Sequence, residues 1–224
     1  MRTIGVVMAI AMTIGAAAQE GTTTLPHNYQ LRFENEWVKV TSVRYGPNER
    51  LPGHTHTPNP SAYVYLNDGG PVIFRHVGGS AATRPATKAG AFRVYRGLVE
   101  VHEVENTTAA ASEFLRVELK TEGRDPTTFR GKFERPAAPT TEPMIHLDHP
   151  QVRISRLWVQ PGQELAIVAD IQPSLLIALA PSGGMTAGQE RWLAAGQSAM
   201  LTNGSRTATD FLRFDFRTRP LAGS

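Results

Sequence analysis

The chain has 224 residues, 23 basic against 20 acidic for a formal net charge of +3, and no cysteine. Without cysteine there is no disulfide framework, no thiolate metal ligand, no cysteine nucleophile and no lipid anchor on an N-terminal cysteine. A charge this close to balance, with no basic run and no patterned aromatics, argues against a nucleic-acid partner.

Residues 1–18 read as a secretory signal peptide, with one positive charge at Arg2, an apolar run from Ile4 to Ile14 and small residues from Ala16 to Ala18. Cleavage is expected after Ala18. The uncharged stretch from Thr3 to Ala18 is shorter than the ~20 residues of a bilayer span. No later segment is apolar enough to span, so the expected mature protein is soluble, secreted or periplasmic, with no stable membrane association.

Beyond that leader, sixteen prolines and eighteen glycines punctuate short runs of Val, Ile, Tyr and Phe, and no long stretch has helical apolar spacing. The fold class is therefore all-β. A first unit, residues 27–120, contains "RLPGHTHTPNPSAYVYLNDGG" from Arg50. His54 and His56 stand at i and i+2, which on a strand turns both imidazoles to one face. Such a pair binds a metal only with a third donor, and the candidate is His102 in the strand-like "GLVEVHEVEN". Glu100 shares a face with His102, as an additional ligand or as a solvated strand-end carboxylate. Tyr63 and Tyr65 share a face of the next strand, where they either hydrogen-bond a substrate as catalytic proton donors or fill a barrel with their rings. His27, His76, His146 and His149 have no comparable partners. "NTT" at Asn106 and "NGS" at Asn203 match the glycosylation triplet.

Residues 121–143, rich in Pro, Thr and charge, read as a linker. A second unit, residues 144–219, repeats the first. The stretch from Phe33 aligns without a gap on the stretch from Leu147 at an offset of 114. "KAGAFRVY" at Lys88 then matches "AAGQSAML" at Ala194, and "EFLRVELK" at Glu113 matches "DFLRFDFR" at Asp210, with the offset falling to 106 and then 97. Short strands spaced by turn signals fit a sandwich or jelly-roll barrel, here two in tandem. In the second copy His54 becomes Val168, His56 becomes Asp170, and the segment of His102 is absorbed into "NGSRTATDF". The positions of Ser61, Tyr63 and Tyr65 become Leu175, Ile177 and Leu179, so the second barrel is expected to be filled and metal-free, serving packing, dimerisation or shielding.

These residues resemble the cupin superfamily. Gly46, His54, His56 and Gly69 match its first motif; Gly90, Gly97, His102 and Asn106 match its second, with Arg96 where proline usually stands. The resemblance implies jelly-roll barrels with His54, His56 and His102 binding a divalent transition metal in the first. The family's glutamate falls near Ser61 or Ala62, neither a carboxylate. Three neutral imidazoles suit iron, zinc, nickel or copper better than manganese, and leave charge that an anionic ligand would offset. Some cupins, such as the thiol dioxygenases, work with three histidines. Three functions stay open: a metalloenzyme of dioxygenase or isomerase type acting on a small molecule, a non-catalytic ligand- or metal-binding module, and a structural scaffold. A homodimer through the barrels is the expected protein partner.

Overall fold

The computed structural model describes residues 25–223, so the expected signal peptide lies outside the described residues. Among those residues there is no helix. The first unit comprises Tyr29–Glu34 (β1), Val38–Tyr45 (β2), Arg50–Thr55 (β3), Ser61–Tyr65 (β4), Val72–His76 (β5), Ala81–Arg84 (β6), Phe92–Tyr95 (β7), Val101–Asn106 (β8) and Ser112–Leu119 (β9). Gly131–Phe133 (β10) joins from the connecting segment by pairing with β7. Two antiparallel sheets result, in the orders β1-β2-β9-β4-β7-β10 and β3-β8-β5-β6. Val43, Tyr65 and Phe114 from the first meet Leu51, Phe74 and Val104 from the second, closing a jelly-roll barrel.

The second unit comprises Met144–Asp148 (β11), Val152–Val159 (β12), Glu164–Val168 (β13), Ser174–Ala178 (β14), Glu190–Leu193 (β15), Ser198–Thr202 (β16) and Thr209–Phe216 (β17). Its sheets run β11-β12-β17-β14-β15 and β13-β16. The two barrels press their larger sheets together, and the widest core lies between them rather than inside either. This explains the near-continuous apolar runs: a strand covered on both faces cannot alternate. On β9, Leu115, Val117 and Leu119 face the second barrel while Phe114 and Arg116 face inward; on β17, Leu212, Phe214 and Phe216 answer from the other side. The connecting segment is more than a tether, since Phe129 is fully buried in the shared core and Arg135 reaches Asp210.

Strand register corrects the gapless alignment of the copies. Across β2–β9, Val40 faces Val117; across β12–β17, Ile154 faces Phe214. Yet Ser61 lies opposite Glu118 and Ser174 opposite Asp215, so the counterpart of Ser61 is Ser174, not Leu175. The extra residue is a β-bulge in β3. There Leu51 pairs with Val104 but His54 with His102, whereas Leu165 pairs with Leu201 and Ile167 with Ala199 in continuous register. A one-residue slip exchanges the two faces of a strand. The histidines of the first barrel thus correspond to Ile167, Ala169 and Ala199, all apolar and packed in the second barrel's interior. The middle alignment block also fails: Tyr95 of β7 and Leu193 of β15 occupy equivalent places, each opposite the serine that opens its neighbour. Between β14 and β15 only a Ser182–Met185 bridge stands where the first barrel has β5 and β6.

Candidate metal centre

The bulge and the pairing of β3 with β8 set His54 directly opposite His102, and His56 follows just past the end of β3. Bulges re-aim side chains in this way beside functional sites. The ring centroids are 4.9 Å apart for His54–His56, 4.8 Å for His54–His102 and 5.3 Å for His56–His102. One nitrogen from each lies within 4.8 Å of the others, a group that could hold a metal ion. Burial lowers the pKa of all three, to about 2 for His56 and about 3 for His102, so the lone pairs are kept free of protons.

Hydrogen bonds decide how well each ring suits a metal. His54 Nδ1 donates to the carbonyl of Pro52 at 2.9 Å, which fixes the tautomer and leaves Nε2 as an acceptor. Nε2 receives the hydroxyl of Tyr29 at 3.1 Å, and Tyr45 donates to Tyr29 at 3.0 Å. Burial holds both phenols neutral, Tyr45 being pushed up to about 12. His102 Nδ1 has no hydrogen-bond partner and lies 3.4 Å from Glu100. His56 differs. Arg116 Nη1 stands 2.8 Å from its Nδ1, and a guanidinium only donates, so this nitrogen accepts and the proton sits on Nε2. The donor set fits an ion at the cost of two bonds, the Tyr29 hydroxyl on His54 Nε2 and the Arg116 guanidinium on His56; the charged one is worth about 1.5–3 kcal/mol. Arg116 retains a partner in Glu118 at 3.2 Å.

The cavity beside the histidines holds about 30 Å³, space for an ion or water but not for a larger substrate until side chains move. Tyr63 shares this cavity with His56 and His102; Tyr65 does not line it, and its buried ring lies on Phe114. The tyrosine that touches a candidate ligand is Tyr29, from the first strand, where no local motif marks it. Arg84 also enters the wall, its guanidinium 3.6 Å from the ring centre of Phe74. Burial lowers its pKa, and Arg93 beside it does so further. Arg84, Arg93 and Arg116 make this end of the barrel cationic.

Two motif positions prove structural. Asn106 is fully buried and donates to the carbonyls of Gly46 at 2.7 Å and Ala110 at 2.8 Å; Asn203 does the same for Val159 at 2.7 Å and Thr207 at 2.8 Å. Both glycosylation triplets are therefore closed in the folded chain. Gly97 has a φ of +76°, and a Cβ there would lie 2.5 Å from the carbonyl of Asn59, so only glycine fits this turn above the cavity. His76, which the sequence leaves without partners, stands opposite His102 on β5, and its Nδ1 is 3.2 Å from Glu100.

A pH dependence follows for the metal-free protein. His146, between Phe92 and Phe133, is held down to about 4 by burial, joining His56 at about 2 and His102 at about 3. Each folded value lies below the unfolded value of about 6.5, so the unfolded chain binds more protons as pH falls below it. Stability is full above about pH 6.5 and declines toward about pH 4. Urea unfolding in chelator from pH 8 to 4 should show this slope, shallower in His146→Phe; a flat profile contradicts neutral buried imidazoles.

No protein-family model matches the chain, and no curated protein matches it by sequence. Solved structures do match. Protein Ylba from E. coli aligns with a TM-score of 0.62 at 9% identity, covering 91% of this chain and 90% of its own. YhaK from Escherichia coli aligns with a TM-score of 0.57 at 12% identity over 86% of both chains. Salicylate 1,2-dioxygenase from Pseudoaminobacter salicylatoxidans, in a structure with gentisate adducts, aligns with a TM-score of 0.53 at 12% identity over 81% of this chain and 68% of its own. All are cupin-type structures, and the two-barrel fold of this chain is the cupin fold.

Proposed function

We propose that this protein is an exported cupin that binds a divalent transition metal through His54, His56 and His102 and acts there on a small anionic molecule, in dioxygenase- or isomerase-like chemistry. The carrying observation is the grouping of three imidazoles, His54 and His102 buried on paired strands and His56 half-buried just past β3, with one nitrogen from each within 4.8 Å of the others. Iron, zinc, nickel or copper suits such a donor set and would supply Lewis-acid or redox character. The residues around it define the rest. Arg84, whose guanidinium lies in the cavity wall over Phe74 and forms no ion pair with another described residue, is suited to receive an anionic group. Tyr29 can pass a proton toward the position of His54 Nε2, backed by Tyr45, and Tyr63 offers a hydroxyl at the cavity wall. Tyr65 is assigned to packing. The second barrel, apolar where the first has histidines, braces the six-stranded sheet.

A second reading, a non-catalytic metal- or ligand-binding module, is favoured by the Arg116 bond to His56 and the small cavity. Elemental analysis separates metal binding from its absence. Wild type exposed to Fe²⁺, Zn²⁺ or Ni²⁺ and desalted should retain about one equivalent, and the His54→Ala/His102→Ala variant almost none. Equal contents in the two overturn the metal reading. Oxygen uptake tied to loss of an anionic substrate then supports an enzyme; binding without turnover supports the module.

A further inference from the structure

The inner face of the four-stranded sheet carries a row of imidazoles. His54 on β3 and His76 on β5 both stand directly opposite His102 on β8. Opposed residues of neighbouring strands share a face and touch. Glu100, two residues before His102, projects to that same face and reaches both neighbours, 3.2 Å from His76 Nδ1 and 3.4 Å from His102 Nδ1. A nitrogen or carboxylate oxygen from each of His76, Glu100 and His102 lies within 4.8 Å of the others. His102 is 4% exposed, and its Nδ1 is buried without a hydrogen bond. A buried nitrogen that makes no hydrogen bond and lies beside a carboxylate and a second imidazole is suited to coordinate a cation with them.

We propose that His76, Glu100 and His102 form a second position for a divalent transition ion, of the two-histidine, one-carboxylate kind, nearer the barrel mouth than the three-histidine group. Glu100 lines both the inner cavity and the outer groove of about 490 Å³ that contains His76, so this set stands where an arriving ion first meets the barrel. It supplies the carboxylate that the inner set lacks at Ser61 and Ala62, and its ligands are not held by Arg116. A neutral imidazole has one free lone pair, so His102 serves one position at a time. The chain therefore holds one ion in total, inner or outer, and the outer set acts as the loading position. The inference shares His102 with the function proposed above but does not need His54 or His56.

Co²⁺ reads both positions through its visible absorption. In titrations of the full chain, His54→Ala/His56→Ala should still bind one equivalent, and adding Glu100→Gln should weaken that binding by at least about tenfold. In the otherwise unaltered chain, His76→Ala and Glu100→Gln should each slow Co²⁺ uptake while leaving a bound ion with a changed spectrum. Loss of all binding in a folded His54→Ala/His56→Ala chain, judged by circular dichroism, overturns the outer position. Should that variant not fold, unchanged uptake rate and spectrum in both His76→Ala and Glu100→Gln overturn it instead. The function above fails on a different result, namely no Co²⁺ bound by the His76→Ala/Glu100→Gln chain, in which the inner set stands alone.

Discussion

Asp210→Ala lowers the thermal midpoint by roughly 6–20 °C, the largest stability loss expected of any single substitution outside the apolar core. Asp210 and Arg156 are both fully buried, joined by Arg156 Nη1 and Asp210 Oδ2 at 2.5 Å. Arg135 of the connecting segment adds two bonds of 3.1 Å to the same carboxylate, and Arg156 donates its other terminal nitrogen to the carbonyl of Gly90 in the first barrel. One carboxylate thus ties the second barrel, the connecting segment and, through Arg156, the first barrel. Its removal leaves a guanidinium buried and uncompensated at the edge of the shared core, which costs about 3–5 kcal/mol. The double variant Arg156→Met/Asp210→Leu leaves no stranded charge and should regain most of the loss, the remainder reflecting the donor withdrawn from Gly90. A loss for Asp210→Ala below about 1 kcal/mol, within the range of exposed pairs, would contradict this picture.

Arg116→Met/Glu118→Met raises the affinity of the first barrel for Zn²⁺ or Co²⁺ by roughly ten- to a hundredfold. Arg116 opposes metal binding twice, by its bond to His56 Nδ1 and by its positive charge beside an ion. Releasing a charged hydrogen bond of about 1.5–3 kcal/mol corresponds to that factor. The partner must be removed with it, because Glu118 pairs with Arg116 at 3.2 Å and both side chains are 7% exposed. Arg116→Met alone would strand that carboxylate and confuse lost stability with changed affinity. Competitive titration against a chromophoric chelator measures the effect. Affinity equal to or below wild type would mean that Arg116 orders His56 for the ion rather than competing with it.

Much of the architecture was legible because period-two alternation and turn residues are local signals. The all-β class and the shared face of His54 and His56 come from such signals, the duplication from the match between the two halves, and the place of His102 from the resemblance to the cupin motifs; the apolar second barrel agrees with its expected filling. What misled was register. A single bulge residue between Leu51 and His54 moves every later comparison between the copies by one position, exchanging inward and outward faces. Ile167 and Ala169, not Val168 and Asp170, occupy the places of the histidines. His76 has no partner near it in sequence because His102 on β8 and Glu100 just before it reach it across the sheet, and Tyr29 meets His54 only through the same kind of long-range contact.

Residue order by itself determined the fold class and the tandem repeat, and it offered the imidazoles, His54 and His56 through strand alternation and His102 through the resemblance to the cupin motifs. Only the tertiary structure decided what surrounds the imidazoles. Arg116 on His56, Tyr29 on His54, and Glu100 with His76 beside His102 all depend on how strands are registered and how the barrel closes. The same holds for the core between the barrels, whose apolar runs look alike in sequence whether they face inward or the other barrel. Contact across a closed sheet is set by bulges and loop lengths summed over the whole barrel, and no short stretch of sequence contains that sum.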